Sequence, residues 1–459
     1  MKTLKNGLLG LLGVVLTFIP MMYGCENSGT QLTTSATGSA DGKISATAPV
    51  QKKTTLKFFT YEDVMKEKHD LINAEFTKRN PDITIEMVYV NYPDYNTMVD
   101  TAIFAGEDLD ICFFNIAQDY IVRAAKGQFL SLDNYLKEEG YSKVTDLYTI
   151  DSTFNGRVYG LPGDTKSFIV YINKNDLDKA GLPIPPAYWT WDDYKSYAKQ
   201  LTWGAGKDKH YGSMFYTWPH YYLFDLYNTY DGCPFFKPDG SFNFDNPGYT
   251  RFLQTRLEME QIDKSQIPVI EVKAMNIDYR SAFFSGRVSM LPCLTNMLPE
   301  VASDNYPHDF VTTFAMLPKP VGVGRDGVTY EDNRFYSIGK SSKNPDEAYK
   351  FIRFFTTEGI QMKDVAFTAD KKNPQLNQAI EKAISNKPYL YDMLQLKKVL
   401  LDPKYKTNTW ENIPVYTYEI DKMVGAEFDK VLVGGETIDV AVENLKIQGE
   451  AIIAKYKKQ

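Results

Sequence analysis

Histidine is scarce in this 459-residue chain: His69, His210, His220 and His308 are the whole complement. No His-Glu-x-x-His run occurs, so the helical zinc motif of metalloproteases is absent, and no Gly-x-Ser-x-Gly elbow presents a serine nucleophile. The four histidines are read as surface or structural residues. Cysteine is equally sparse, at Cys25, Cys112, Cys233 and Cys293, and no two have metal-ligand spacing. Cys112 lies in an apolar strand pattern and reads as a plain buried residue. Basic stripes are missing too. With a net charge of -7, the chain is a poor candidate for binding nucleic acid. No repeat of solenoid period is found. Nothing in the sequence calls for a metal or a cofactor.

What is present starts with a leader. Lys2 and Lys5 precede an uncharged apolar run from Leu8 to Pro20, and Gly24 stands just before Cys25. That order is the layout of a secretory signal peptide, with residues 1–24 removed. The cut site is similar to a bacterial lipobox, although Met22 and Tyr23 depart from its usual residues. A lipobox implies that Cys25 becomes the first residue and carries a lipid. The competing reading is an uncleaved membrane anchor, because the run from Asn6 to Gly24 is nearly long enough to span. Either way the remainder lies outside the cytoplasmic membrane. Residues 25–55 are rich in Ser, Thr, Gly and Ala, and read as a flexible tether.

The body from Leu56 onward alternates strand and helix. "LKFFT", "ITIEMVYV" and "LDICFF" read as strands, and a helix carries Tyr95, Met98, Val99, Ala102 and Ile103 on one face. A β-α-β-α-β series of this kind predicts an α/β, mostly parallel sheet whose ligand crevice lies at the carboxyl ends of its strands. Tyr61, Glu62 and Asn115 belong at that crevice. Further on, "FIVYIN" and "YGSMFY" read as strands. "TWDDYKSYAKQL" is a helix capped by Thr190, with Tyr194, Tyr197, Ala198 and Leu201 inward. "NPDEAYKFIRFF" is another, with Asn344 as its cap and Pro345 at its first position.

The ordered blocks "FTKRNPDITIEMVYV", "YNTMVDTAIFAGEDLDICFF", "AAKGQFLSLDNYL", "GRVYGLPGDTKSFIVYINKNDLDKAGLPIPP", "AFFSGRVSMLPC", "FAMLPKP" and "YSIGKSSKNPDEAYKFIRFFTT" carry a resemblance. The chain resembles the family 1 extracellular solute-binding proteins, receptors of bacterial ABC importers related to maltose-binding protein. It departs from the family at Ile172-Asn173-Lys174-Asn175, where Tyr-Asn-Lys-Asp is usual, and in the expanded run from Ala187 to Trp191. The resemblance implies a two-lobed, type II periplasmic-binding-protein fold with hinge strands. One crossing is expected near Leu161 to Lys166 and a return near Met316 to Pro320. Lobe one is expected at 56–163 and 317–367, and lobe two at 164–316 and 368–459. It also implies a monomeric, lipid-anchored receptor that captures a carbohydrate by closure, hands it to permease subunits, uses no cofactor and is not an enzyme.

A sugar site wants flat aromatic platforms beside groups that make several hydrogen bonds. The run "YGSMFYTWPHYYLFDLYNTYDGCPFF" is dense in aromatics and suggests an oligosaccharide. Within it Phe215, Leu223 and Phe224 read as core, while Trp218, just past a strand, reads as a platform. Asp231 lies in a loop that in the family lines the cleft. Asp164 and Lys166 fall at the expected crossing. Asn296 follows a block resembling a family motif, Arg334 follows the return, and Trp410 is a second platform candidate. Two alternatives stand beside import: a receptor that feeds a sensor kinase or chemoreceptor, and a secreted glycoside hydrolase. The hydrolase would need two carboxylates flanking the scissile bond, one of them with a raised pKa.

Overall fold

The computed structural model describes residues 53–363, 367–372, 376–408, 410 and 413–457. The leader, Cys25 and nearly all of the tether lie outside the described residues. The strands are Thr54–Thr60 (β1), Ile83–Tyr89 (β2), Ile111–Phe114 (β3), Thr153–Phe154 (β4), Arg157–Val158 (β5), Gly160–Asn173 (β6), Tyr211–Ser213 (β7), Val288–Leu294 (β8), Thr312–Met316 (β9), Val328–Ile338 (β10) and Lys406–Asn408 (β11). β4 and β5 form a separate hairpin; the others make one sheet in the order β2-β1-β3-β10-β6-β8-β7, with β9 on β6 and β11 on β10. Pairing is parallel toward both ends, at β1–β2, β1–β3 and β7–β8. It is antiparallel in the middle, where β10 joins β3 to β6 and β6 runs on to β8 and β9.

β6 is the spine of this arrangement. All fourteen of its residues are buried. Its proximal half pairs with β10 and its distal half with β8 and β9. Along the distal half the side chains alternate between two hydrophobic clusters: Phe168, Val170 and Ile172 enter one, Ile169 and Tyr171 the other. That is period-2 geometry in a strand covered on both faces, and it explains why "FIVYIN" reads as a continuous apolar run. Near its start the ladder with β10 shifts register between Asn333 and Phe335, opposite Thr165 and Pro162. Pro162 has no N–H to give the ladder. Gly163 lets the Tyr336 ring approach: a Cβ there would sit 2.3 Å from that ring. The return expected near residues 316–320 falls at the end of β9 and in the connection after it, and β10 pairs with β3 on one side and β6 on the other.

Local signals held where they matched packing. The helix Trp191–Gln200 starts with a capping box: Thr190 Oγ1 accepts from the Asp193 N–H at 3.2 Å, and the Asp193 carboxylate accepts from the Thr190 N–H at 2.8 Å. Tyr194, Ala198 and Leu201 are buried beneath it. Elsewhere three readings need correction. Met98 is 45% exposed, because the helix Tyr92–Ala105 buries only the narrower stripe of Tyr95, Val99 and Ala102. Asn344 makes no side-chain cap at the helix Pro345–Phe354; its N–H instead donates to Ser342 Oγ. The strand in "YGSMFY" stops at Ser213, and Trp218 opens a short 3-10 turn.

The C-terminal region is divided. Residues 368–370 bridge back to Tyr148 and Asp164. Ile380, Leu396 and Val399 join the cluster around β8 and β9. The helix Thr417–Leu432 packs against the helix Ile438–Lys457 and also reaches the helices Ala117–Ala125 and Pro247–Leu257. Cys112, Cys233 and Cys293 are free thiols. Among the described residues no helix is long and apolar enough to cross a membrane.

Thr190→Ala removes one half of the capping box. Stability is expected to fall by about 1 kcal/mol, read as a lower urea midpoint with an unchanged slope.

Candidate ligand-binding site

The strand order brings β1, β3, β10 and β6 side by side, and their ends converge on a cavity of about 480 Å³. That is the size of a small-molecule site. Tyr61 and Glu62 follow β1, Asn115 follows β3, Asp164 and Lys166 come from β6, and Asp332 and Arg334 come from β10; all line it. The opposite wall carries Trp218, Pro219 and His220, then Tyr279 and Arg280, then Thr295, Asn296 and Glu300. Lys363, Tyr418, Asp421 and Lys422 complete it from the C-terminal third. A larger hollow, about 620 Å³, lies on the outside between residues 237–245 and the last helix. Its wall includes the surface ion pair Lys237–Asp245. No set of convergent buried polar groups marks it as the site.

Charge in the cavity is organised around Arg334. Its Nη1 lies 2.7 Å from both Glu62 Oε1 and Asp164 Oδ2, and its Nε donates to Asn115 Oδ1 at 3.1 Å. Lys363 Nζ closes the other side of Glu62 at 2.6 Å, and Lys166 Nζ donates to the same Asn115 oxygen at 2.6 Å. Burial alone would raise the Glu62 pKa, but Arg334 and Lys363 outweigh it and hold the carboxyl well below the usual range. Burial pulls the Lys166 ammonium down to about 8, against Asp332 at 4.0 Å. Arg280 is bonded to Glu300 and lies 4.4 Å over the Tyr279 ring. The cavity therefore holds more basic side chains than the sequence suggested. Arg280, Arg334 and Lys363 are each spent on a carboxylate, and Lys166 lies beside Asp332, which leaves Lys422 as the one lysine of the lining with no carboxylate paired to it among the described residues.

The aromatic wall is compact. Trp218 is half-buried and packs edge-on against Tyr216 and Tyr279, with ring centroids 5.1 and 5.2 Å apart. Tyr61, across the cavity, leans on Tyr95 and Phe113. A ring face between fixed hydrogen-bonding groups suits a ligand with an apolar face and polar edges.

A family model described as bacterial extracellular solute-binding protein matches residues 60–362. The chain belongs to that family. The multiple sugar-binding protein of Streptococcus mutans is 24% identical over 421 residues, 84% of this chain and 89% of its own. A protein of Streptomyces antibioticus described as an uncharacterized lipoprotein is 23% identical over 326 residues, covering 67% of this chain and 68% of its own. A solved ABC substrate-binding protein from Listeria monocytogenes, in complex with cycloalternan, superposes with a TM-score of 0.70. It is 20% identical and covers 89% of this chain and 99% of its own, so it shares the two-lobed type II fold.

In this solute-binding protein the cavity gathers eight of the ten residues singled out from sequence: Tyr61, Glu62, Asn115, Asp164, Lys166, Trp218, Asn296 and Arg334. Two stand elsewhere. Asp231 is exposed beside Gly232 and pairs with Arg325 at the surface. Trp410 is 4% exposed and buried among Tyr227, Phe235 and Tyr330, a core ring and no platform. Most of the dense aromatic run, including Phe215, Tyr221, Tyr222 and Phe224, is likewise core, so its density says nothing about ligand length. His220, read as surface or structural, lines the cavity while its Nδ1 pairs with Tyr227. Asp332 was missed although it lies two residues before Arg334 on one strand face, a spacing that could have found it. Tyr418, Asp421 and Lys422 share one helix face, but no sequence signal ties that helix to residues over 80 positions away.

Arg334→Ala leaves Glu62 and Asp164 buried without their shared cation. The ligand-free protein is expected to lose about 3–5 kcal/mol in denaturant unfolding, whereas Asn296→Ala, at an exposed position, is expected to leave the melt unchanged.

Proposed function

We propose that this chain is the extracytoplasmic receptor of an ABC importer for a neutral sugar, most readily an oligosaccharide, captured in the cavity between its lobes. The observation that carries the reading is the pairing of the Trp218–Tyr279 wall with polar groups already held in place by the Arg334 network. Rings cover the apolar face of a sugar, and fixed donors and acceptors meet its hydroxyls without further ordering cost. The sugar-binding description of the Streptococcus relative and the cycloalternan held by the Listeria structure support it. Cys25 as a lipid anchor is supported by the leader pattern and by the relative described as a lipoprotein. We assign the lobes as 56–163 with 317–367 and 164–316 with 368–459, and take the receptor to act as a monomer that delivers ligand to permease subunits.

One feature favours a second reading. Burial, and then the neighbouring Asp332, raise the Asp421 carboxyl to about 7, the kind of acid a glycoside hydrolase would use. Prolonged incubation with a bound oligosaccharide is expected to release no new reducing ends; their appearance at a rate abolished by Asp421→Asn would replace the receptor reading with the hydrolase.

Calorimetric titration with a panel of neutral oligosaccharides is expected to find a binder. Trp218→Ala is expected to weaken it by on the order of 1 kcal/mol, the worth of an aromatic contact beyond its area. Saturating ligand is expected to reduce the radius of gyration in X-ray scattering, as closure requires; an unchanged radius together with no binding by the whole panel sinks the proposal. For the anchor, fatty-acid labelling in a bacterial host is expected to mark the wild type and not Cys25→Ala.

A further inference from the structure

Asp421 is the least explained polar group in the cavity. It sits on the helix Thr417–Leu432, is 6% exposed and lines the cavity wall. Its Oδ1 is fully buried and has no hydrogen-bond partner among the described residues. Several donors near it are committed elsewhere. The Tyr330 hydroxyl donates to Asp332 at 2.7 Å, and the Tyr227 hydroxyl pairs with His220 Nδ1 at 2.8 Å. Lys166 donates to Asn115. The Lys422 ammonium, on the same helix, lies 4.4 Å over the Tyr418 ring. A buried carboxylate oxygen left this way is costly unless something supplies a donor. Nothing among the described residues supplies one, and the residue itself lines the cavity.

We propose that Asp421 is a specificity-determining residue of this site: with Asp332 it forms an acceptor corner that takes hydroxyl groups of a neutral sugar and turns away sugars bearing a carboxylate or phosphate at that position. The proposal rests on the sugar-receptor reading above. Where Asp421 and Asp332 are both ionised, a hydroxyl donates to them at no charge cost, whereas an added anion meets repulsion in a place of low dielectric. Arg334, Lys363 and Arg280 already hold carboxylates and Lys166 lies beside Asp332, which leaves Lys422 as the lysine that offsets this repulsion.

The same geometry couples capture to pH. The groups that face Asp421 are Lys422 from its own helix, Asp332 and Tyr330 from β10, and Tyr227, Cys233 and Tyr249 from the segment between β7 and β8. Burial first and Asp332 second raise its pKa, and only Lys422 opposes them. The ligand-free site therefore keeps a proton on Asp421 near neutral pH. Hydroxyl donors favour the carboxylate, so binding releases that proton to the buffer. In the free protein the raised pKa works the other way. Its contribution to stability is full below the unfolded carboxyl value and is lost as pH rises through about 7.

The test uses the chain from residue 26 onward, without leader and anchor, and a panel of maltotriose, xylotriose, arabinotriose and galacturonic acid trimer. The tightest neutral binder is titrated calorimetrically at pH 6, 7 and 8 in two buffers of unlike ionisation enthalpy. Wild type is expected to release up to one proton and to lose affinity by as much as about tenfold per pH unit below pH 7. It is expected to bind the uronate trimer at least tenfold more weakly. In Asp421→Asn both the proton release and the pH slope are expected to vanish and the uronate gap to narrow. Its ligand-free melting temperature, relative to wild type, is expected to be higher at pH 8 than at pH 5.5. If Asp421→Asn does not fold, Asp421→Ser takes its place, and the wild-type slope alone still decides. A neutral sugar that binds without proton release, or with the same slope in the variant, overturns the role of Asp421 and leaves the sugar reading standing. Failure of every neutral sugar to bind, with uptake of the uronate, overturns both.

Discussion

One guanidinium fixes the geometry on which the site depends. Arg334 holds Glu62, Asp164 and Asn115 at once, and Lys363 secures the far side of Glu62. These groups come from the loop after β1, the loop after β3, the strands β6 and β10 and a segment near residue 360. Each charge is buried, so none can be removed alone without stranding the others. The sheet order makes the convergence possible. β1, β3, β10 and β6 are neighbours, so groups at their ends stand about 4.8 Å apart per strand, within reach of a branched cation. The register shift beside Pro162 and Gly163 places the break in the ladder next to Asp164 and Arg334, and bulges of this kind re-aim side chains.

From this constraint the character of the cavity follows. A pocket containing Glu62, Asp164, Glu300, Asp332 and Asp421 along with five basic side chains reads by count as a site for ions. Pairing alters that conclusion. Once Arg334, Lys363 and Arg280 are assigned to carboxylates, what faces the ligand is a set of oriented dipoles and hydrogen-bonding edges beside an aromatic wall. Preorganised groups of this sort meet a neutral polar molecule without having to be ordered by it. A buried ion network is seldom kept for stability, since well-packed apolar residues serve as well or better. Its retention here is accounted for by positioning.

Much of the fold was legible in the sequence. An alternating run marked β2, apolar strand-like runs marked β1 and the distal half of β6, and a Thr-x-x-Asp box marked the start of a helix, because each signal reports interactions within a few residues of itself. The strand-end rule placed Tyr61, Glu62 and Asn115 correctly for the same reason: once strand type and order are known, the ends follow. Reading failed where the answer depended on partners far along the chain. Trp410 and Trp218 are both tryptophans in polar, turn-rich contexts. Only the tertiary structure shows that one is enclosed by Tyr227, Phe235 and Tyr330 while the other borders the cavity. Asp231 was expected at the cleft only because the family resemblance implied it; here it is exposed and paired with Arg325.

The helix Thr417–Leu432 is the sharpest case. Tyr418, Asp421 and Lys422 are spaced i, i+3, i+4, a spacing that surface helices share. Nothing local distinguishes a solvated stripe from a cavity wall. The difference is made by the contacts of that helix with Ala117–Ala125 on one side and Pro247–Leu257 on the other, which carry its polar face over the cavity instead of into solvent. Burial then does to Asp421 what exposure would not: it removes water as the hydrogen-bond partner and leaves the ligand as the available donor. The residue with the most selective power over ligand chemistry is thus one whose role arises wholly from packing, and it lies beyond residues 60–362 that the family model matches. The stripe on this helix is fixed by packing contacts on its other faces and not by the charges it presents, so its side chains can be exchanged without disturbing the Arg334 network.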